Sequence, residues 1–74
     1  MDYISLVKQI RAELFLSQED LARLLGVSFA TINRWETGKN RPSRMAVRTL
    51  QAFCRQRHLD HIFGEVANDE NQQS

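Results

Sequence analysis

The chain has 74 residues, 42% of them hydrophobic, with ten Lys and Arg against nine Asp and Glu, for a net charge of +1. That length allows one domain with a modest core. No apolar run approaches the ~18 residues of a membrane span, and MDYIS lacks the basic-then-apolar pattern of a signal peptide. The lone cysteine, Cys54, excludes an intrachain disulfide and fits a reducing, cytosolic compartment.

In chain order, Asp2 is placed to cap a first helix over residues 3–14, with Tyr3, Leu6, Val7, Ile10 and Leu14 as its apolar stripe. Ser17, with Asp20 three residues on, makes a capping-box-like start for a second helix over 18–25. Leu21, Leu24 and Leu25 recur there at helical spacing, and Gly26 stands where a left-handed residue stops a helix. Ser28 caps a third helix over 29–37, which turns Ile32 and Trp35 inward and ends at Gly38. GKNRP reads as a loop, with Ser43 capping a fourth helix over 44–57 whose inward positions are Ala46, Val47, Leu50, Phe53 and Cys54. Leu59, Ile62, Phe63 and Val66 fit a short fifth helix over 59–66, which Gly64 weakens. The polar end, NDENQQS, reads as a disordered acidic tail over 68–74. The expected fold is all-α: a compact bundle of four or five short helices over residues 1–67.

The second and third helices are too short, and the turn between them too tight, for a long antiparallel hairpin. They must cross steeply, which is the helix-turn-helix geometry that puts the second helix into a DNA major groove. From Ile10 to Leu50 the chain resembles the Cro/C1-type (XRE) helix-turn-helix domain of bacterial and phage regulators. The resemblance rests on Arg11, then LSQEDLARLLGVS, then TINRWETGKNRPS with Trp35, Glu36, Gly38 and Pro42. It covers roughly residues 3–57 and implies a lambda-repressor-like fold that binds double-stranded DNA.

Charge is unevenly spread. Residues 1–33 set Lys8, Arg11 and Arg23 against Asp2, Glu13, Glu19 and Asp20, a net −1. Residues 34–57 set Arg34, Lys39, Arg41, Arg44, Arg48, Arg55 and Arg57 against Glu36 alone, a net +6. Residues 58–74 carry Asp60, Glu65, Asp69 and Glu70, a net −4. A basic block that begins inside the third helix is the footprint of a phosphate-binding face, the alternative being a solvated helix surface.

The base-reading candidates are Phe29, Ala30, Thr31, Asn33 and Arg34. Arg34 has the geometry for guanine O6 and N7, and Asn33 for adenine N6 and N7 or a phosphate. Phe29 and Ala30 depart from the polar residues common in the family. Contact with thymine methyl groups is their natural substitute, with packing of Phe29 back onto the second helix as the alternative. Phosphate-contact candidates are Ser17, Gln18, Ser28, Thr37, Lys39, Asn40, Arg41 and Arg44, which fix register without reading sequence. For Gln18 that role is implied by the resemblance, supported by a helix N-terminus. The resemblance also implies a structural ion pair of Arg11 with Glu36; two independent surface charges are the alternative.

No catalytic constellation is evident. His58 and His61, with Asp60 and Glu65 nearby, match no zinc-ligand spacing, so no metal, cofactor or enzyme activity is expected. The leading function is a small transcriptional regulator, a repressor or activator occupying a palindromic operator. Rival readings are an antitoxin or restriction-control protein with a toxin or other protein partner, and a protein-interaction module without DNA. Leu59, Ile62, Phe63 and Val66 must either cap the chain's own core or form a homodimer interface.

Overall fold

The structure, a computed structural model, describes residues 2–64. The expected tail over 68–74, and Val66 with it, lie outside those residues. Four helices have defined bounds: α1 (Tyr3–Leu14), α2 (Gln18–Leu25), α3 (Phe29–Thr37) and α4 (Arg44–Gln56). Residues 60–64 are again helical, and no strand occurs among the described residues.

Each helix starts where a short polar side chain satisfies an otherwise orphaned backbone N–H. The Asp2 carboxylate accepts from Ser5 N at 3.1 Å, Ser17 Oγ from Asp20 N at 2.9 Å, Ser28 Oγ from Thr31 N at 3.1 Å and Ser43 Oγ from Ala46 N at 3.1 Å. At α2 the box is closed reciprocally, since Asp20 Oδ2 accepts from Ser17 N at 3.2 Å. Gly26 (φ +75) and Gly38 (φ +80) end α2 and α3 in the left-handed region. At Gly38 a Cβ would also stand 3.1 Å from Ile4 Cδ1, so α1 closes over that turn. At the end of α1 the left-handed residue is Phe15 (φ 55), an aromatic 93% exposed, in a conformation that L side chains adopt at a cost.

The helix α3 packs on both α1 and α2, and α2 also touches α4. The shared core comprises Leu6, Val7 and Ile10 of α1, Leu21 and Ala22 of α2, Ile32 and Trp35 of α3, and Leu50, Phe53 and Cys54 of α4. Each large apolar side chain buried there contributes about 1.5–3 kcal/mol. Leu24, which shares the apolar spacing of α2, is 51% exposed. At 100° per residue, Leu21, Ala22 and Leu25 define the inward arc, and Ala22 pulls its centre away from Leu24. Leu25, Ala46 and Val47 line the edge of the core, partly buried.

Of the two destinations open to the C-terminal stripe, its described members take the chain's own core. Leu59 and Phe63 are 8% exposed and Ile62 is fully buried. The reversal that brings them in runs through His58 (φ 60), with Leu59 N donating to Cys54 O at 2.7 Å and Ile62 N to Leu59 O at 2.9 Å. Leu59, Ile62 and Phe63 thus fill a seam of the chain's own core beside Cys54 and do not form an exposed apolar face for a second copy. The fourth helix ends at Gln56, with Arg57 as its C-cap and its guanidinium 3.8 Å from the Phe53 ring centroid.

Candidate nucleic-acid interface

The helix α3 turns Ile32, Trp35 and Glu36 inward and leaves Phe29, Ala30, Arg34 and Thr37 exposed, with Thr31 and Asn33 half-buried at the margins. Helical spacing puts 29, 30, 33, 34 and 37 on one face. Phe29 is 50% exposed and so is not packed away under α2. Arg34 makes no ion pair among the described residues, and its backbone oxygen accepts from Thr37 Oγ1 and Asn40 N.

Behind this face a chain of hydrogen bonds ties three helices together. Arg11 Nε donates to Glu36 Oε2 at 2.6 Å and Arg11 Nη2 to Glu36 Oε1 at 2.9 Å, while Nη1 reaches the Leu16 carbonyl at 3.1 Å. Gln18 Nε2 donates to Glu36 Oε1 at 3.0 Å, and Asn33 Nδ2 to Gln18 Oε1 at 3.4 Å. Burial alone would push the Glu36 carboxyl up. Hydrogen bonds from Arg11 and Gln18, with the Arg11 and Lys8 charges, outweigh it and hold the group below the ordinary carboxylate range. The Arg11 guanidinium is raised in turn by its bond to Glu36. Among the described residues no buried side-chain polar atom lacks a partner. The network fixes α3 against α1 and α2, and it engages the amides of Gln18 and Asn33 from within the protein.

The other polar candidates divide by what they already bond. Ser17 and Ser28 are caps, and Ser28 Oγ lies 2.9 Å from Thr31 Oγ1. Glu19 and Asp20 in the first turn of α2 set negative charge beside Gln18, which offsets the anion affinity of that helix N-terminus. Asp20 is held low first by the Arg23 side chain and then by Ser17. By contrast α3 and α4 have no acidic residue in their first turns. Lys39, Asn40, Arg41 and Arg44 are exposed over the loop and the start of α4, where the helix dipole adds to their charge. Arg41 stands 6.0 Å from the Tyr3 ring centroid, which orients it along the N-terminal end of α1.

His58 and His61 are exposed, and His61 Nε2 approaches Glu13 Oε1 at 4.0 Å, joining the C-terminal segment to α1. No group of three or more His, Cys, Asp or Glu among the described residues could hold a metal ion. No helix among them is long and apolar enough to cross a membrane.

Sequence reasoning missed the part played by Gln18, assigned there to phosphate alone. Its amide is the hinge between Glu36 and Asn33, and no local pattern marks it.

Comparison with known proteins agrees with this architecture. A family model described as Helix-turn-helix matches residues 7–60. A transcriptional regulator of Methanothermobacter thermautotrophicus, named as an uncharacterized HTH-type regulator, is 34% identical over 59 residues, covering 80% of this chain and 86% of the relative. The chain belongs to the Cro/C1-type (XRE) helix-turn-helix family. A Rhodospirillum rubrum protein, named as an uncharacterized transcriptional regulator in the ATPase CF(0) region, is 54% identical over 37 residues. That match covers 50% of this chain and 34% of the relative, so the chain spans about a third of that protein's length. No solved structure matches the chain significantly.

Proposed function

We propose that this chain is a sequence-specific double-stranded DNA-binding regulator that inserts α3 into the major groove. The observation that carries the reading is the exposed face of α3, where Arg34 has no ion-pair partner among the described residues, followed in the chain by the exposed Lys39, Arg41 and Arg44. Arg34 reads a guanine through O6 and N7. Lys39, Asn40, Arg41 and Arg44 hold the phosphates beside it, and Ser17, Gln18, Ser28 and Thr37 flank the groove. Asn33 is held by its bond to Gln18 and offers a base or phosphate only its remaining amide hydrogen and carbonyl. Both relatives carry regulator names, which supports control of transcription as the role.

One domain of this size covers only a short stretch of duplex. Two copies on half-sites about one turn, ~34 Å, apart give a palindromic operator its selectivity. The surfaces that join the copies are not those of the buried C-terminal stripe.

The test is selection from randomised duplexes, followed by sequencing and titration. An enriched motif, with half-sites spaced by one turn and two copies bound per duplex, is expected. Equal binding of all sequences would exclude sequence readout. A single half-site bound by a single copy would exclude the palindromic arrangement while keeping the DNA reading.

A further inference from the structure

The chemistry at the front of α3 defines what kind of base edge it takes. Its first two residues, Phe29 and Ala30, are exposed and apolar. The polar groups around them are already spoken for: Ser28 Oγ serves Thr31 N and Oγ1, and Asn33 Nδ2 is turned to Gln18. The largest unengaged set of donors on this face lies one turn further on, at Arg34, whose guanidinium makes no hydrogen bond among the described residues. An aromatic half open to water at the first position of a groove-entering helix gains by covering apolar surface. The one apolar group that the major-groove edge presents is the C5-methyl of a pyrimidine. Arg34 on the same helix face, with the exposed Lys39, Arg41 and Arg44 that follow it in the chain, favours duplex DNA over a protein as the occupant.

We infer that Phe29 and Ala30 form a methyl-reading platform that selects a pyrimidine C5-methyl near the guanine read by Arg34. This rests on the DNA-binding reading given above. Residues 29 and 34 are separated by about 7.5 Å of helix rise, so the methyl and the guanine belong to one half-site. Thymine and 5-methylcytosine carry the same group, and both satisfy the platform. Binding then depends on base methylation wherever a cytosine occupies that position.

The test uses the full chain and the duplex selected for the parent. Each thymine in turn is replaced by uracil, which removes only the methyl; in separate duplexes that position carries cytosine or 5-methylcytosine. The parent should lose about fourfold at one uracil position, the worth of one buried methyl group. Phe29→Ala should bind the thymine duplex more weakly and no longer distinguish uracil, whereas Phe29→Leu should keep much of the discrimination. Both are checked for an unchanged melt, which is expected because Phe29 lies outside the core. Recovery with 5-methylcytosine identifies the methyl as sufficient, and loss with both cytosine forms assigns the site to thymine alone. Equal binding of thymine and uracil duplexes, or a uracil penalty that persists in Phe29→Ala, overturns the platform while leaving DNA binding intact. Failure of the parent to enrich any duplex overturns the DNA reading itself.

Discussion

Arg11 and Glu36, 25 residues apart in sequence, meet as a two-bonded pair that joins α1 to the end of α3. The Glu36 side chain is 4% exposed and the Arg11 side chain 26%. Removing the arginine therefore strands a buried charge, whereas removing the carboxylate leaves a cation that reaches water. Arg11→Met should cost about 3 kcal/mol, the low end for breaking a buried pair, and Glu36→Gln less. The double variant Arg11→Met/Glu36→Met should recover part of the loss. Urea unfolding of the three variants measures this, and equal costs for the two single changes would contradict the asymmetry.

The same pair sets a pH dependence whose sign changes on mutation. In the parent the Glu36 carboxyl lies below its ordinary value, so its contribution is present above that value and lost as pH falls through the lowered one. Without Arg11, burial dominates and raises the carboxyl, so protonation now relieves the strain. The cost of Arg11→Met should thus be largest near neutrality and shrink as pH falls toward the carboxylate range. A cost that stays constant, or grows, in acid would show that Glu36 does not carry it.

Base-reading and phosphate-holding side chains separate by their salt response. Arg34→Ala should lose about 1–3 kcal/mol on the best site and relax preference at one base pair. Lys39→Ala, Arg41→Ala and Arg44→Ala should weaken binding to all duplexes and each reduce the salt slope by about one. Titrations at several salt concentrations on the selected and scrambled duplexes resolve the two patterns. An Arg34→Ala variant that keeps the parent's preference would remove Arg34 from the reading face.

Helix boundaries were legible because caps act over three or four residues. Asp2, Ser17, Ser28 and Ser43 each name a start, and Gly26 and Gly38 each name a stop. Trp35 and Ile32 were readable as core from spacing alone. The amide bridge from Glu36 through Gln18 to Asn33 was not, because it depends on how closely α2 and α3 cross. The exposure of Leu24 was not legible for a related reason: on a helix of two turns a small Ala22 can rotate the buried arc, which periodicity does not report. The destination of Leu59, Ile62 and Phe63 was undecidable from sequence, since a core seam and a partner ask for the same side chains.

Cys54 gives a chemical probe of that closure. Burial pushes its thiol up to about 11, with Arg57 pulling it down and Asp60 adding to the rise. A buried neutral thiol is a poor nucleophile. Alkylation at pH 8 should be slow in the native chain and fast in urea. The raised thiol contributes stability that is full below its ordinary value near 9.0 and is lost as pH rises through about 11. Relative to Cys54→Ala, the parent should therefore weaken across that alkaline window. Rapid native alkylation would mean that the segment after α4 opens readily.

Phe63→Asp tests the seam directly. Phe63 is 8% exposed and shares the core with the fully buried Ile62 and Cys54. A carboxylate there replaces an apolar side chain within the core, so it must stay desolvated, take up a proton or drive the segment out of the seam. Each route costs several kcal/mol, comparable to the whole stability of a domain this small. The variant should melt far below the parent or be unfolded at room temperature, and Phe63→Leu should lose much less because it keeps an apolar fill. If Phe63 instead served a contact between copies, Phe63→Asp would leave the monomer's melt unchanged and lower the sedimentation coefficient alone. Thermal unfolding at two protein concentrations, run beside sedimentation velocity, separates these outcomes. A concentration-independent loss of stability is the result that the burial of Phe63 demands.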